Sequence, residues 1–310
     1  MNKKNKYLIL FIPLLSLISC GDPSPVEFTD NTITTEIINV GIVPAKPLTY
    51  VYSNGYDSTG IVEPFINKNT IVNVSGIHNS NYGNFADGTY YFALFNDKTK
   101  PVLGPGNSVV GYKSKSVISV FFNNVQAQQE SNSMKMMNQQ HTQVDTSLGL
   151  KYVLSNGMAH GMHGGLNNPF PYGSSINVRI NDGSNPTYQF DLPTPNEIIG
   201  QIKLQGAVST NNLSIELTWN GNANDSLNVI IGTVNQSSND ANPLFLFKIA
   251  NTNSLKVPWS ILEKIQFNQT KYLVVTLIKR IIKGISYNAV LKDSYIASQS
   301  IHNIKVDIPR

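Results

Sequence analysis

The chain has 310 residues, enough for about two domains of ordinary size. Only 14% of the residues are charged, against about 25% in a typical soluble protein, so Asn, Ser, Thr and Gly carry the polarity. The formal net charge of +4 is not gathered into a dense basic run, which argues against nucleic-acid binding. The single cysteine excludes a disulfide framework and any cluster of cysteine metal ligands.

The chain begins with Lys3, Lys4 and Lys6, then an apolar run from Tyr7 to Ile18 broken only by Pro13 and Ser16. That run is shorter than the roughly 20 residues a membrane span needs. The layout is that of a secretory signal. Its end, Leu17-Ile18-Ser19-Cys20, resembles the bacterial lipobox. The resemblance implies cleavage before Cys20 and acylation of its thiol and new amino group. The expected location is a bacterial cell envelope, anchored by lipid to a membrane, with the outer membrane favoured. Residues 1–19 are then the lipoprotein signal peptide, and 20–31, with Pro23 and Pro25, a flexible tether. Without the three signal lysines the chain is nearly neutral, with 20 basic and 19 acidic residues. Segment 20–199 has 9 basic and 13 acidic residues, and segment 200–310 has 11 and 6. This opposite balance of the two parts agrees with two domains.

Beyond the tether the pattern predicts an all-β protein. Segments 32–43, 70–77, 88–95 and 116–122 are rich in Val, Ile, Thr, Tyr and Phe and are bounded by Asn, Gly, Asp and Pro. No long segment shows a 3.6-residue apolar period. Tyr50, Tyr52 and Tyr56, around Asn54-Gly55, read as an aromatic strand and turn. Segment 124–147 interrupts the pattern. It is rich in Gln, Asn and Ser, almost without large aliphatic residues, and is expected to be a surface helix or an insert. Strand-like sequence resumes at 150–154, 175–180 and 187–190. Leu192-Pro193-Thr194-Pro195-Asn196 is the best domain boundary, because two prolines remove backbone donors.

The last part alternates most cleanly. Leu213, Ile215, Leu217 and Trp219 interleave with Ser214, Glu216 and Thr218, the pattern of a half-buried strand. Further strands are predicted at 227–234, 244–250, 272–281 and 301–308, and 254–257 leads into Pro258, which is suited to start a helix. A tryptophan closing an early strand, a later strand begun by Tyr272 and a terminal strand resemble immunoglobulin-like and fibronectin-III-like domains. The expected organisation is therefore two β-sandwich-like domains. One spans 32–192 and carries a Met/His-rich insert at 124–165. The other, at 200–310, is Ig-like. Trp219 and Trp259 are expected in the core.

The chemistry-bearing residues are clustered. Met134, Met136, Met137, Met158 and Met162, all the methionines after Met1, lie within 29 residues, and His141, His160 and His163 lie in or beside the same window. On a helix, Met134, Met137 and His141 would share a face at i, i+3 and i+7. In an extended loop, Met158, His160 and Met162 would point to one side, with His163 adjacent. Thioether and imidazole donors together point to copper, and such Met/His loops resemble those of periplasmic copper-binding proteins. The candidate metal ligands are Met134, Met137, His141, Met158, His160, Met162 and His163; Cys20 is the lipidation site. His78 and His302 stand alone in the sequence and read as ordinary strand or surface residues.

No nucleophile elbow, zinc-protease pair, phosphate loop or dinucleotide fingerprint occurs. A Ser/His/Asp triad drawn from distant positions, as in a surface hydrolase, leaves no local motif. The expected function is that of a non-enzymatic, lipid-anchored envelope protein that binds copper through its Met/His segment. The alternative is an adhesion or protein-interaction lipoprotein without a metal. Its partners would be the membrane and an envelope protein or glycan.

Overall fold

The computed structural model describes residues 33–37, 68–81, 87–103, 109–137, 143–156, 169–183, 187–221, 226–235, 241–250, 252–285, 291 and 293–310. In chain order the strands begin with β1 (Ile33–Ile37), β2 (Thr70–Ser80), β3 (Gly88–Leu103), β4 (Val109–Ser114), β5 (Ser119–Phe122) and β6 (Val125–Gln126). There follow β7 (Gln128–Met137), β8 (Gln143–Asn156), β9 (Ser175–Asn181), β10 (Tyr188–Pro193), β11 (Gly200–Gln205) and β12 (Ser214–Trp219). The chain continues with β13 (Leu227–Asn235), β14 (Ala241–Ile249), β15 (Ser254–Val257), a one-turn helix α1 (Trp259–Leu262), β16 (Thr270–Ile282) and β17 (Ser294–Val306). The fold is all-β, as the sequence pattern predicts.

Ten strands form one large sheet in the order β1-β14-β13-β16-β17-β2-β3-β8-β7, with β4 added on β3. Every pairing in it is antiparallel except β17 with β2. These two strands run parallel, in register from Thr70 against Ser294 to Ser80 against Ile304. Their pairing joins the strands of the earlier half of the chain to those of the later half.

Two small sheets pack on one face of the large one. The sheet β10-β9-β5-β6 buries Val120, Phe122, Ile176, Val178, Ile180 and Leu192 against Val72, Val74, Tyr91, Phe95 and Tyr152. The sheet β11-β12-β15, with α1, buries Leu213, Ile215, Leu217, Trp219 and Leu262 against Val229, Phe247, Leu273, Val275 and Leu277. Trp219 is thus a core residue. Trp259 is partly buried and stacks on Phe267, 5.8 Å between ring centroids. In the first core Tyr152 is 1% exposed, and its hydroxyl accepts the Val117 N–H at 2.7 Å and donates to the Val117 carbonyl. A buried phenol with both bonds satisfied adds little strain and fixes the approach to β5.

The other face of the large sheet alternates apolar and amide side chains. Ile71, Ile77, Tyr90, Phe92, Val153, Ile230, Leu246, Ile278 and Ile301 form a cluster drawn wholly from this sheet. Between them Gln299 Nε2 donates to Asn73 Oδ1 at 2.7 Å, and Asn73 Nδ2 to Ser75 Oγ at 2.9 Å. Asn303 links Thr276, 2.8 Å away, to Asn79, 3.2 Å away. These pairs keep buried amides from costing their full desolvation.

Segment 124–147 is neither a helix nor an insert where it is described. Asn123 and Asn124, at φ +47° and +66°, make a two-residue turn between β5 and β6. The chain then enters the β7–β8 hairpin, registered from Gln128 against Val153 to Met137 against Gln143. β7 ends the order of the large sheet, and an edge strand needs fewer apolar residues than a central one. The Met134/Met137 spacing therefore falls on strand backbone, and the helical i, i+3 relation does not hold. β4 and β11 are strands the sequence reading did not find. Among the described residues no helix is long and apolar enough to cross a membrane.

Candidate functional site

The crossing from the first small sheet to the second, residues 193–200, lies over β17. Three consecutive side chains on that face of β17 hold it. Ser298 Oγ donates to the Pro193 carbonyl, Ser300 Oγ accepts the Ile198 N–H at 2.9 Å, and His302 Nδ1 accepts the Gly200 N–H at 2.8 Å. Polar residues are buried here because the irregular crossing backbone must be satisfied where no ladder reaches it. Gly200 is needed at this approach. A Cβ there would lie 2.9 Å from a methyl of Leu277.

His302, 1% exposed, is registered against His78, and the two rings sit 4.6 Å apart between centroids. Ser80 Oγ lies 2.7 Å from His302 Nε2 and 3.5 Å from His78 Nε2. His78 Nδ1 lies 2.8 Å from Asp87 Oδ2, and Asp87 Oδ1 accepts the Asn79 N–H at 2.9 Å. One proton order satisfies the neutral pair. The Gly200 N–H occupies His302 Nδ1, so His302 carries its proton on Nε2 and donates it to Ser80. The Ser80 proton then turns toward His78 Nε2, a contact at the limit of a hydrogen bond. His78 donates from Nδ1 to the Asp87 carboxylate. Burial, then the neighbouring His78, push the His302 pKa down to about 4, against a smaller opposing pull from Asp87.

In this order both imidazole lone pairs are engaged, that of His302 Nδ1 by the Gly200 N–H and that of His78 Nε2 by the Ser80 hydroxyl. Among the described residues no group of three His, Cys, Asp or Glu side chains is placed to hold a metal. The chain of bonds makes a polar wall that runs from Ser80, in one cleft of about 730 Å³, to Asp87, in a second of about 730 Å³. Ser80, Asn81, Gly200, Gln201, Ile304 and Lys305 line one. Asp87, Thr89, Phe170, Tyr172 and Glu197 line the other. In the second cleft Phe170 is held by T-shaped packing on Tyr91 at 6.0 Å and lies 4.8 Å from the Tyr172 ring. Burial foremost, then the negative charges of Glu197 and Asp87, push the Tyr172 hydroxyl pKa up.

Of the residues singled out for copper, two are described. Met134 and Met137 lie on the backbone of β7. His141, Met158, His160, Met162 and His163 fall outside the described residues, as do Cys20 and the Tyr50, Tyr52, Tyr56 group. His78 and His302, which read as solitary in the sequence, are paired. A signal for them exists. Ile77-His78-Asn79 recurs as Ile301-His302-Asn303, and the parallel register sets the two copies side by side. No known family model matches the chain, and no curated protein is significantly similar to it.

The site carries a pH dependence of known sign. His302 is neutral in the fold down to about pH 4, whereas in the unfolded chain it takes up a proton below about pH 6.5. Between these values the unfolded state binds more protons, so stability falls as pH falls. The full difference between 6.5 and about 4 is about 3.4 kcal/mol at 1.36 kcal/mol per pH unit. His302→Asn keeps an acceptor for Gly200 and removes this titration. Urea unfolding at pH 7 and pH 4.5 is expected to show a smaller acid loss in His302→Asn than in the native chain. An equal loss would show that His302 does not titrate as its burial requires.

Proposed function

We propose that this chain is a lipid-anchored protein of a bacterial envelope that acts by binding a partner. It is held to the membrane at Cys20, and two β-sandwich-like halves, 32–192 and 200–310, share the large sheet. The observation that carries the reading is the pair of open clefts that the polar wall reaches, at Ser80 and at Asp87. Their walls are fixed in advance by hydrogen bonds and aromatic packing, the usual property of a recognition site. The lipobox-like Leu17-Ile18-Ser19-Cys20 supports the anchor, and the immunoglobulin-like pattern of 200–310 supports a docking role for the second half. The partner is an envelope protein or a glycan.

The anchor is tested by Cys20→Ser. One acyl chain binds a membrane only marginally, so stable attachment needs the complete modification of this residue. The variant is expected to lose palmitate labelling and to leave the membrane fraction or accumulate as precursor. Unchanged labelling would remove the lipoprotein reading.

Copper binding is proposed as a separate property of the Met/His segment, on the concentration of soft and imidazole donors between Met134 and His163. The full chain is expected to hold Cu(I) against a competing chelator more tightly than a variant with Met158, His160, Met162 and His163 all changed to Ala. Equal retention would take these four residues out of any metal site and leave the protein-interaction reading alone.

A further inference from the structure

The cleft on the Asp87 side has a floor with an unanswered polar atom. Thr89 lies on β3, 4% exposed, and its Oγ1 has no hydrogen-bond partner among the described residues. It is nevertheless a lining residue of the cleft. A buried hydroxyl without a partner is uncommon and costs free energy until something bonds to it. Its cross-strand neighbour on β2 is Gly76. A Cβ at Gly76 would lie 2.5 Å from Phe170 Cγ and 2.6 Å from the Tyr172 hydroxyl, so the missing side chain lets two aromatic rings close over this part of the sheet. The aromatic wall is therefore seated on β2 and β3.

The charges around this floor have one sign. Asp87 and Glu197 both line the cleft, and among the described residues no Lys or Arg does. Both oxygens of Asp87 are already engaged, by His78 and by the Asn79 N–H. Glu197 is exposed and is engaged in no side-chain hydrogen bond or ion pair among the described residues. Its carboxylate can take a full charge-assisted bond from a ligand, while Asp87 adds field. The Phe170 and Tyr172 rings offer π faces, which attract cations.

We infer that the cleft formed by Thr89, Phe170, Tyr172, Asp87 and Glu197 binds an organic cation, an ammonium or guanidinium group. The cation pairs with Glu197, lies against the aromatic wall and donates one N–H to Thr89 Oγ1. The inference rests on the reading of this protein as a binding protein and names the ligand chemistry of one of its clefts. The cation's source is either a free small amine or a Lys or Arg side chain presented by a protein partner.

Calorimetric titration of the full chain in detergent tests it. The probes are L-arginine amide, spermidine, a blocked Ala-Arg-Ala peptide and, as neutral ligands, maltose and N-acetylglucosamine. The cations are expected to bind, more weakly as salt rises, and the neutral sugars are not. Glu197→Gln is expected to weaken cation binding about tenfold, the worth of one charge-assisted hydrogen bond. Thr89→Val, of nearly equal shape, is expected to weaken it about threefold to tenfold. Circular dichroism melts of both variants, unchanged from the native chain, keep loss of binding apart from loss of fold. Binding of the peptide as tight as that of the amide identifies a side chain as the source, and binding of the small amines alone identifies a free solute; both support the site. No cation binding, or cation binding unaltered in both variants, would overturn it. Sugar binding without cation binding would overturn it too, yet leave the binding-protein reading in place.

Discussion

The parallel pairing of β2 with β17 is the constraint on which the rest of the structure depends. Antiparallel neighbours can be joined by short turns, but a parallel pair requires a long crossover. Here the intervening chain runs from Asn81 to Asp293 and contains almost every other strand. The large sheet is thus closed only when the last strand finds the second. β2 carries β3, β8 and β7 on one side, and β17 carries β16, β13 and β14 on the other. Without the pair there would be two smaller sheets and no common platform for the two cores. Such non-local pairing is slow to form, because loop-closure entropy is lost before the contacts repay it.

The same pair makes the candidate site. Identical tripeptides in parallel register put like side chains next to one another: Ile77 beside Ile301 in the second-face cluster, His78 beside His302, and Asn79 beside Asn303. For the asparagines this gives an amide-to-amide bond, for the isoleucines apolar contact. The imidazoles could not both be charged at this separation without repulsion. The fold resolves this by burying His302, fixing its tautomer with the Gly200 N–H and placing Ser80 between the rings. The crossing segment that holds the second small sheet is therefore tied, through one imidazole, to the wall that runs from one cleft to the other. Packing and recognition share one set of hydrogen bonds.

Much of the fold was legible in the sequence because strand alternation is a local signal. Leu213 to Trp219 alternated and formed β12, with its odd residues in the core. Pro258, suited by its fixed φ to start a helix, is the N-cap of α1. What failed was what depends on partners. Segment 124–147 looked unlike a strand because β7 lies at an edge and is polar, and only the β8 backbone makes it one. β11 was missed because Gly200 and Gln201 resemble a linker until β12 supplies the ladder. The candidate site was missed for the same reason. His78 and His302 are 224 positions apart, and nothing local relates them except the repeated tripeptide. Of the copper ligands named from composition, only Met134 and Met137 fall among the described residues, on β7.

The in-register parallel pairing is most directly tested by cross-linking. Paired cysteines bridge only when their Cα atoms are within about 7 Å. In a Cys20→Ser background, which has no other thiol, Asn79→Cys with Asn303→Cys is expected to form an intramolecular disulfide under mild oxidation. Asn79→Cys with Ile301→Cys, on the same face but shifted by about 6.6 Å along the strand, is expected not to. A disulfide in the shifted pair, or in neither pair while both variants keep a native circular dichroism spectrum, would contradict the pairing on which both the sheet and the His78–His302 wall rest.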